Sequence, residues 1–259
     1  MIEVKDITKQ YGKKVVLDGI DLQFPRGKIT SLIGSNGAGK STLLSIVSRL
    51  LAQDGGIVMV DEKNVTDYKN KMLAQRLSIL KQSNHLELKL TVRELVSFGR
   101  FPYSQGRLTK EDKQKVDEAI LFLDLKEIEN NYMDELSGGQ KQRAFLALVV
   151  AQDTEYILLD EPLNNLDMKH SVQIMKTLRE LCQKKGKTII IVIHEINFAS
   201  HYSDYIVAMK NGKIIHFDIT ENIIKPQILK EVFDLDFEII QKNNRQICNY
   251  FCLDQIKPN

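Results

Sequence analysis

The sequence has no tryptophan, only 3 cysteines and 5 prolines among 259 residues, and almost no excess of either charge sign. Each scarcity excludes something. Cys182, Cys248 and Cys252 are too few for the disulfide framework that staples small secreted domains. Cys248 and Cys252 stand four apart in an expected C-terminal strand, too separated to bridge each other. No histidine lies at a ligand-like spacing beside them, so three reduced thiols are expected. The 36 Lys+Arg against 34 Asp+Glu leave a net charge of +2, which is not the basic footprint of a nucleic-acid binder. No apolar run approaches the ~20 residues that span a bilayer. The longest, Thr188-Ile189-Ile190-Ile191-Val192-Ile193, suits a buried strand. Membrane association is therefore expected through a partner, without direct insertion. The opening Met1-Ile2-Glu3-Val4-Lys5-Asp6 has no apolar signal region, so the chain is expected to remain in the cytoplasm.

What is present is organised around Gly34-Ser35-Asn36-Gly37-Ala38-Gly39-Lys40-Ser41-Thr42, which reads as the phosphate-binding pattern G-x-x-x-x-G-K-[ST]. Ile29 to Ile33 before it reads as a short buried strand. After it, Leu43, Leu44, Val47, Leu50 and Leu51 recur at helical spacing. Glycines 34, 37 and 39 let the backbone aim successive N–H groups at an anion, with the positive end of a helix behind them. Lys40 then supplies a charge for the β- and γ-phosphates, and the Ser41 hydroxyl is placed to ligate Mg²⁺. A chain of this length accommodates one large α/β domain or a domain with a subdomain.

Taken in order, Ile2/Val4, Val15/Leu17 and Ile20/Leu22/Phe24 alternate between glycines and Pro25, which predicts an antiparallel layer. Tyr11-Gly12 falls in a turn of that layer, where the ring either stacks on a flat base or simply packs or sits at the surface. Gly55-Gly56 punctuates before a strand at 57–60, and a helix through Met72, Leu73 and Leu77 leads to a strand ending at Leu80-Lys81-Gln82. Gln82, at a strand-to-loop transition, reads either as a polar loop residue or as an amide reaching a metal or a water. Thr91 with Glu94 predicts a capping box for a helix over 92–99, and Thr109 caps a helix through Val116, Ile120, Leu123 and Leu125. The stretch from Arg100 to Arg107 reads as a loop carrying aromatics. This helical run interrupts the βαβ rhythm and is read as an inserted subdomain.

Leu136-Ser137-Gly138-Gly139-Gln140 precedes a helix through Phe145, Leu148 and Val149, with Ser137 as N-cap. It is a second helix start suited to an anion. Tyr156 to Pro162 is an apolar strand ending in Asp160 and Glu161, and the C-terminal tips of such strands are where an open α/β sheet puts its ligand chemistry. Asp160 is placed to hold Mg²⁺ and Glu161 to accept a proton from an attacking water. Asn164 to Asp167 caps a long helix through Ile174, Met175, Leu178 and Leu181. His194 follows the next strand, where it either bonds a γ-phosphate or the attacking water or makes a structural hydrogen bond. Asn211-Gly212 turns a hairpin, a helix is expected around Ile228 to Phe233, and Asn243-Asn244 suggests a last hairpin.

In this order the phosphate loop, Gln82, the Leu136-to-Gln140 signature, the acidic strand, the Asn164-to-Asp167 loop and His194 resemble the nucleotide-binding subunit of ATP-binding-cassette transporters, over nearly the whole chain. The resemblance implies an α/β fold: a P-loop NTPase core with a mostly parallel sheet, an N-terminal antiparallel β layer and an inserted helical subdomain. The corresponding spans are 1–85 and 153–235 for the core with its antiparallel layer, about 86–152 for the helical part and about 236–259 for a C-terminal extension. It implies ATP hydrolysis with Mg²⁺, and it assigns Tyr11 to adenine stacking.

It further implies a head-to-tail homodimer in which Ser137, Gly138, Gly139 and Gln140 of one copy meet the nucleotide held by the other. In that family the helical subdomain and the loop after Gln82 form the groove that receives the transmembrane permease subunits, and the resemblance implies an extracytoplasmic siderophore-binding protein that acts indirectly. The stretch from Thr91 to Tyr103 is similar to the ferric-siderophore and cobalamin importer branch. The run from Phe98 to Leu108 with Pro162 to Ser171 is similar to ATPase subunits of catecholate siderophore importers of the petrobactin type. Relatives often carry Asp where this chain has Glu195. A soluble cassette protein acting on ribosomes or DNA is the rival reading, but that class usually joins two cassettes or inserts long coiled coils, and no sustained heptads occur here. A small-molecule kinase leaves the signature and His194 unexplained.

Overall fold

The structure is a computed structural model, described over residues 1–81, 89–164, 166–242 and 245–251. The chain divides into two compact units, one formed by Met1–Asp61 with the segment from Val192 onward, the other by Glu62–Ile191. The first unit begins with strands β1 (Ile2–Tyr11) and β2 (Lys14–Phe24), an antiparallel hairpin. Strand β3 (Ile29–Ile33) follows, buried at every residue, then helix α1 (Lys40–Val47) and strand β4 (Gly55–Val60), which pairs antiparallel with β1.

Bulges break the simple alternation in this layer. Lys9 pairs with Leu17 but Gln10 with Val15, so Val16 is an extra residue. A bulge rotates the faces, and Leu17 is fully buried while Val15 is exposed. Gly55 and Gly56 lie inside β4, because a Cβ on Gly56 would stand 2.3 Å from the Asp6 carbonyl oxygen. Leu50 and Leu51, expected on the helix, lie past its end. Ser48 is the C-cap and Arg49 turns the chain at φ 59°.

The second unit holds a two-residue strand β5 (Lys63–Asn64), helix α2 (Asn70–Ala74) and strand β6 (Leu77–Leu80). Leu77 therefore starts the strand rather than continuing the helix. Helices α3 (Val92–Phe98), α4 (Phe101–Ser104) and α5 (Lys110–Phe122) come next. Thr91 and Thr109 both close capping boxes, with Glu94 and Asp112 as partners. The segment 100–107, expected as a loop, contains α4 and a buried Arg100. Its Nε donates to Asp112 Oδ1 at 2.9 Å, its Nη1 to the Ala151 carbonyl at 2.9 Å, and Tyr103 stacks 4.0 Å from its guanidinium carbon.

Helix α6 (Gly138–Gln152), strand β7 (Tyr156–Asp160), helix α7 (Met168–Lys185) and strand β8 (Thr188–Val192) complete this unit, β8 as far as Ile191. The buried face of α6 is Ala144, Leu146, Ala147, Val149 and Ala151, with Phe145 and Leu148 half-buried beside it. Strands β6 and β7 are parallel, with Leu77 opposite Tyr156.

The chain returns to the first unit with helix α8 (Ile196–Tyr202), strands β9 (Tyr205–Lys210) and β10 (Lys213–Ile219), and helices α9 (Thr220–Ile223) and α10 (Pro226–Phe233). Strand β9 runs parallel to β3, and β10 antiparallel to β9. Asn211 at φ 50° and Gly212 at φ 78° turn that hairpin, the left-handed pair a two-residue loop requires. Strands β11 (Glu238–Lys242) and β12 (Arg245–Asn249) pair antiparallel; the turn residues 243–244 lie outside the described residues. Phe237 and Cys248 join Ile33, Ile196, Ile206 and Leu229 in one apolar cluster. The C-terminal hairpin thus belongs to this unit's core. Among the described residues no helix is long and apolar enough to cross a membrane.

Candidate functional site

The phosphate loop grows from the end of β3, and its glycines serve different needs. A Cβ on Gly34 would stand 2.1 Å from the Met209 carbonyl oxygen, and one on Gly39 would stand 2.8 Å from that of Val16. Among the described residues nothing lies within 4 Å of a Cβ on Gly37, and its φ of 81° is what favours glycine there. The loop is therefore wedged between β2 and the β9–β10 hairpin. The Gly212 N–H donates to the Ala38 carbonyl at 3.2 Å, and the Asp18 N–H to the Gly212 carbonyl at 3.0 Å.

Lys40, the first residue of α1, is buried. Its amine donates to the carbonyls of Gly34 at 2.8 Å and Ser35 at 3.0 Å. An ammonium curled under its own loop at a helix start, with Gly39 as the cap, is a cationic seat for an anion. Ser41 and Thr42 follow on the first turn. In the same unit the Ile193 N–H donates to the Leu32 carbonyl at 3.2 Å, so His194 leaves its strand at the end of β3 that carries the loop. His194 is exposed, and Glu195 N-caps α8 without a side-chain hydrogen bond. Tyr11 ends β1 with 54% of its surface exposed and Lys9 Nζ 5.6 Å from its ring centre. It is no core residue, and its ring is open to stacking.

In the second unit Asp160 closes the fully buried β7 and is itself buried. Glu161 follows at φ 53°, and Asn164 Nδ2 donates to its Oε2. At the signature, Ser137 Oγ accepts from the Gln140 N–H at 3.3 Å while Gln140 Oε1 accepts from the Ser137 N–H at 2.9 Å. Among the described residues a Cβ on Gly139 would meet Leu166 and His170, at 3.5 and 3.9 Å, which is ordinary contact. Packing among those residues does not demand that glycine. Asp167 caps α7 and bonds the His170 ring at 2.8 Å; the His170 N–H and ring hold the Asp167 carboxyl below the usual range. Gln82 and Asn165 lie outside the described residues.

For a divalent cation the predicted donors are the Ser41 hydroxyl, the Gln82 amide and the Asp160 carboxylate. This is an all-oxygen set, which fits Mg²⁺ with its preference for few protein ligands, water and substrate phosphates. Asp160, buried at the tip of β7, supplies a carboxylate oxygen of the kind that cation takes.

The residues that sequence reasoning missed are the loop's supports, Val16, Met209 and Gly212, and Gln142, which bonds the Pro162 carbonyl; Asn164 reads as part of the loop before α7, without its bond to Glu161. The Asn211-Gly212 dipeptide reads only as a turn. That Gly212 also abuts the Val16 carbonyl, 2.6 Å from where its Cβ would be, has no local signal.

Residues 17–164 match the family described as ABC transporter. The chain is 55% identical to the petrobactin import ATP-binding protein YclP of Bacillus subtilis (strain 168), over 97% of this chain and 100% of that protein. It is 51% identical to the petrobactin import ATP-binding protein FatE of Bacillus anthracis, over 93% and 96% respectively. Among solved structures it is similar to the ATP-binding cassette MJ0796 in a dimeric post-hydrolysis state bound to ADP and Pi. There the TM-score is 0.76 at 30% identity, covering 85% of this chain and 99% of that one.

Proposed function

The chain belongs to the ABC transporter family, and from that membership we propose that it hydrolyses ATP to drive uptake of an iron-siderophore complex of the petrobactin type. The full-length identity of 55% to a petrobactin import ATP-binding protein is the observation that carries this reading. The phosphate loop supports it chemically. In the proposed reaction Gly34 to Thr42 wrap the phosphates, Lys40 exchanges its two carbonyl partners for β- and γ-phosphate oxygens, and Tyr11 stacks on adenine. Glu161 accepts a proton from the water that attacks the γ-phosphorus. The bond to the β-phosphate oxygen breaks, and ADP and phosphate leave. His194 holds the γ-phosphate or the attacking water. Ser41, Gln82 and Asp160 are the proposed Mg²⁺ donors, and the cation would neutralise charge on the β- and γ-phosphate oxygens.

The proposal includes a second copy of the chain. Ser137, Gly138, Gly139 and Gln140 would contact the γ-phosphate of a nucleotide held by that copy, a use favoured by a Gly139 that packing among the described residues does not explain. It also includes transmembrane permease subunits. A groove of about 380 Å³ lined by Leu90, Phe98, Phe101 and Leu108, with Glu94 and Ser97 beside them, suits an apolar helical segment. We assign about 86–152 to the helical subdomain that carries this groove, and about 236–259 to a C-terminal extension. The working location is the cytoplasmic face of the membrane, held there by the permease, with an extracytoplasmic binding protein delivering the siderophore.

The test is uptake of radiolabelled iron under iron limitation, in cells with and without the gene. Loss of petrobactin-borne iron uptake is expected, restored by the intact gene. Equal uptake in both strains contradicts the reading.

A further inference from the structure

Glu161 adopts a backbone conformation that its residue type resists. Its φ of 53° lies in the left-handed region, which is unfavourable for a non-glycine residue and persists only where the surroundings over-determine it. Two hydrogen bonds within the same unit hold that backbone and a third holds the side chain. The Asn164 N–H donates to the Glu161 carbonyl at 3.2 Å, closing a turn. From α6, Gln142 Nε2 donates to the Pro162 carbonyl at 3.0 Å. Both fix the main chain. The third, from Asn164 Nδ2 to Glu161 Oε2, fixes the carboxylate itself. Only the NH₂ end of that amide suits an ionised carboxylate, because the carbonyl end would oppose its lone pairs.

We propose that Asn164 is a positioning residue whose amide fixes the orientation in which the Glu161 carboxylate meets the attacking water, an inference that rests on Glu161 being the proton acceptor. Proton transfer needs the acceptor oxygen within about 2.6–3.2 Å of the water's oxygen. A carboxylate on an unanchored stem samples several rotamers, and a misplacement of about 1 Å costs on the order of a hundredfold in rate. Asn164 touches no reacting atom. Its loss therefore slows turnover and leaves nucleotide affinity in place.

The test is steady-state ATP hydrolysis by the full chain, with kcat and KM measured separately and folding checked by thermal melts. Asn164→Asp keeps the shape but turns the donor into an acceptor, and lowers kcat about a hundredfold. Asn164→Ala lowers it about tenfold, while Asn164→Ser, which keeps a donor, stays within about threefold of wild type. KM for ATP remains within about twofold throughout. A merely structural role would instead move KM and the melting temperature together with kcat; that pattern, or wild-type kcat in Asn164→Asp, overturns the inference. Glu161→Gln is the control. If it is inactive while Asn164→Asp is fully active, the base assignment stands and only the role of Asn164 falls. If Glu161→Gln turns over at the wild-type rate, the base assignment falls, and with it the inference.

Discussion

Gly39 and Val16 approach so closely that a Cβ on the glycine would lie 2.8 Å from the Val16 carbonyl oxygen, a distance real Cβ atoms essentially never show. The bulge that makes Val16 an extra residue in β2 turns a backbone carbonyl toward the phosphate loop. The loop's shape is thus set partly by the hairpin beside it.

Gly39→Ala is expected to weaken ATP binding more than tenfold, because either the β2 bulge or the loop must move. Among the described residues Gly37→Ala meets open space; both glycines have left-handed backbones, φ 81° and 100°, so each bears a conformational cost of roughly 1–2 kcal/mol and only Gly39 adds the clash. Fluorescent-nucleotide titration of both variants checks the order, and equal losses would remove β2 as the cause.

Much of this was legible locally. Thr91 and Thr109 announce their helices because a capping box is written within four residues, and Asn211-Gly212 announces its turn because few residues accept φ above zero. The apolar run before Asp160 likewise marks a buried strand. What escaped is non-local. Nothing near Arg100 reveals that Asp112 and the Ala151 carbonyl await it. Nothing near Val15 reveals the bulge that turns it outward, and Leu77 looks helical until its pairing with Tyr156 is known. The site divides in the same way. Residue types at motif positions are readable, whereas the packing of the phosphate loop against Val16 and Met209, and the bond from Gln142 to the Pro162 carbonyl, join segments that spacing does not connect.

The Arg100–Asp112 pair gives a pH prediction. Burial works to raise the Asp112 carboxyl, but the Thr109 N–H and hydroxyl and the Arg100 guanidinium outweigh it and hold it below the usual range. A carboxylate depressed in the folded state contributes stability above its unfolded pKa of about 3.9 and loses it as pH falls toward the folded value. Wild-type melting temperature should therefore drop as pH falls below about 4. Asp112→Asn should lie about 3 kcal/mol lower at neutral pH and show a shallower acid slope. Parallel slopes would remove Asp112 from the account.

The tail hairpin makes a structural prediction. Asn197 acts as a strand partner, donating to the Cys248 carbonyl at 3.1 Å and accepting from the Cys248 N–H at 2.8 Å. Burial pushes the Cys248 thiol up to about 11, so in the native protein it resists thiol reagents at pH about 8. Asn197→Ala should cost about 2 kcal/mol and speed labelling of Cys248, mapped by peptide mass spectrometry. Unchanged labelling would mean that other contacts suffice to hold the hairpin.

The most direct measurement is the mass in solution of the Glu161→Gln protein, by gel filtration with light scattering, with ATP and then with ADP. The account predicts twice the 29.7 kDa of one chain with ATP and the single-chain mass with ADP. Adding Ser137→Arg should hold the protein at the single-chain mass even with ATP. A single-chain mass with ATP bound, together with full hydrolysis by the Ser137→Arg protein, would contradict it.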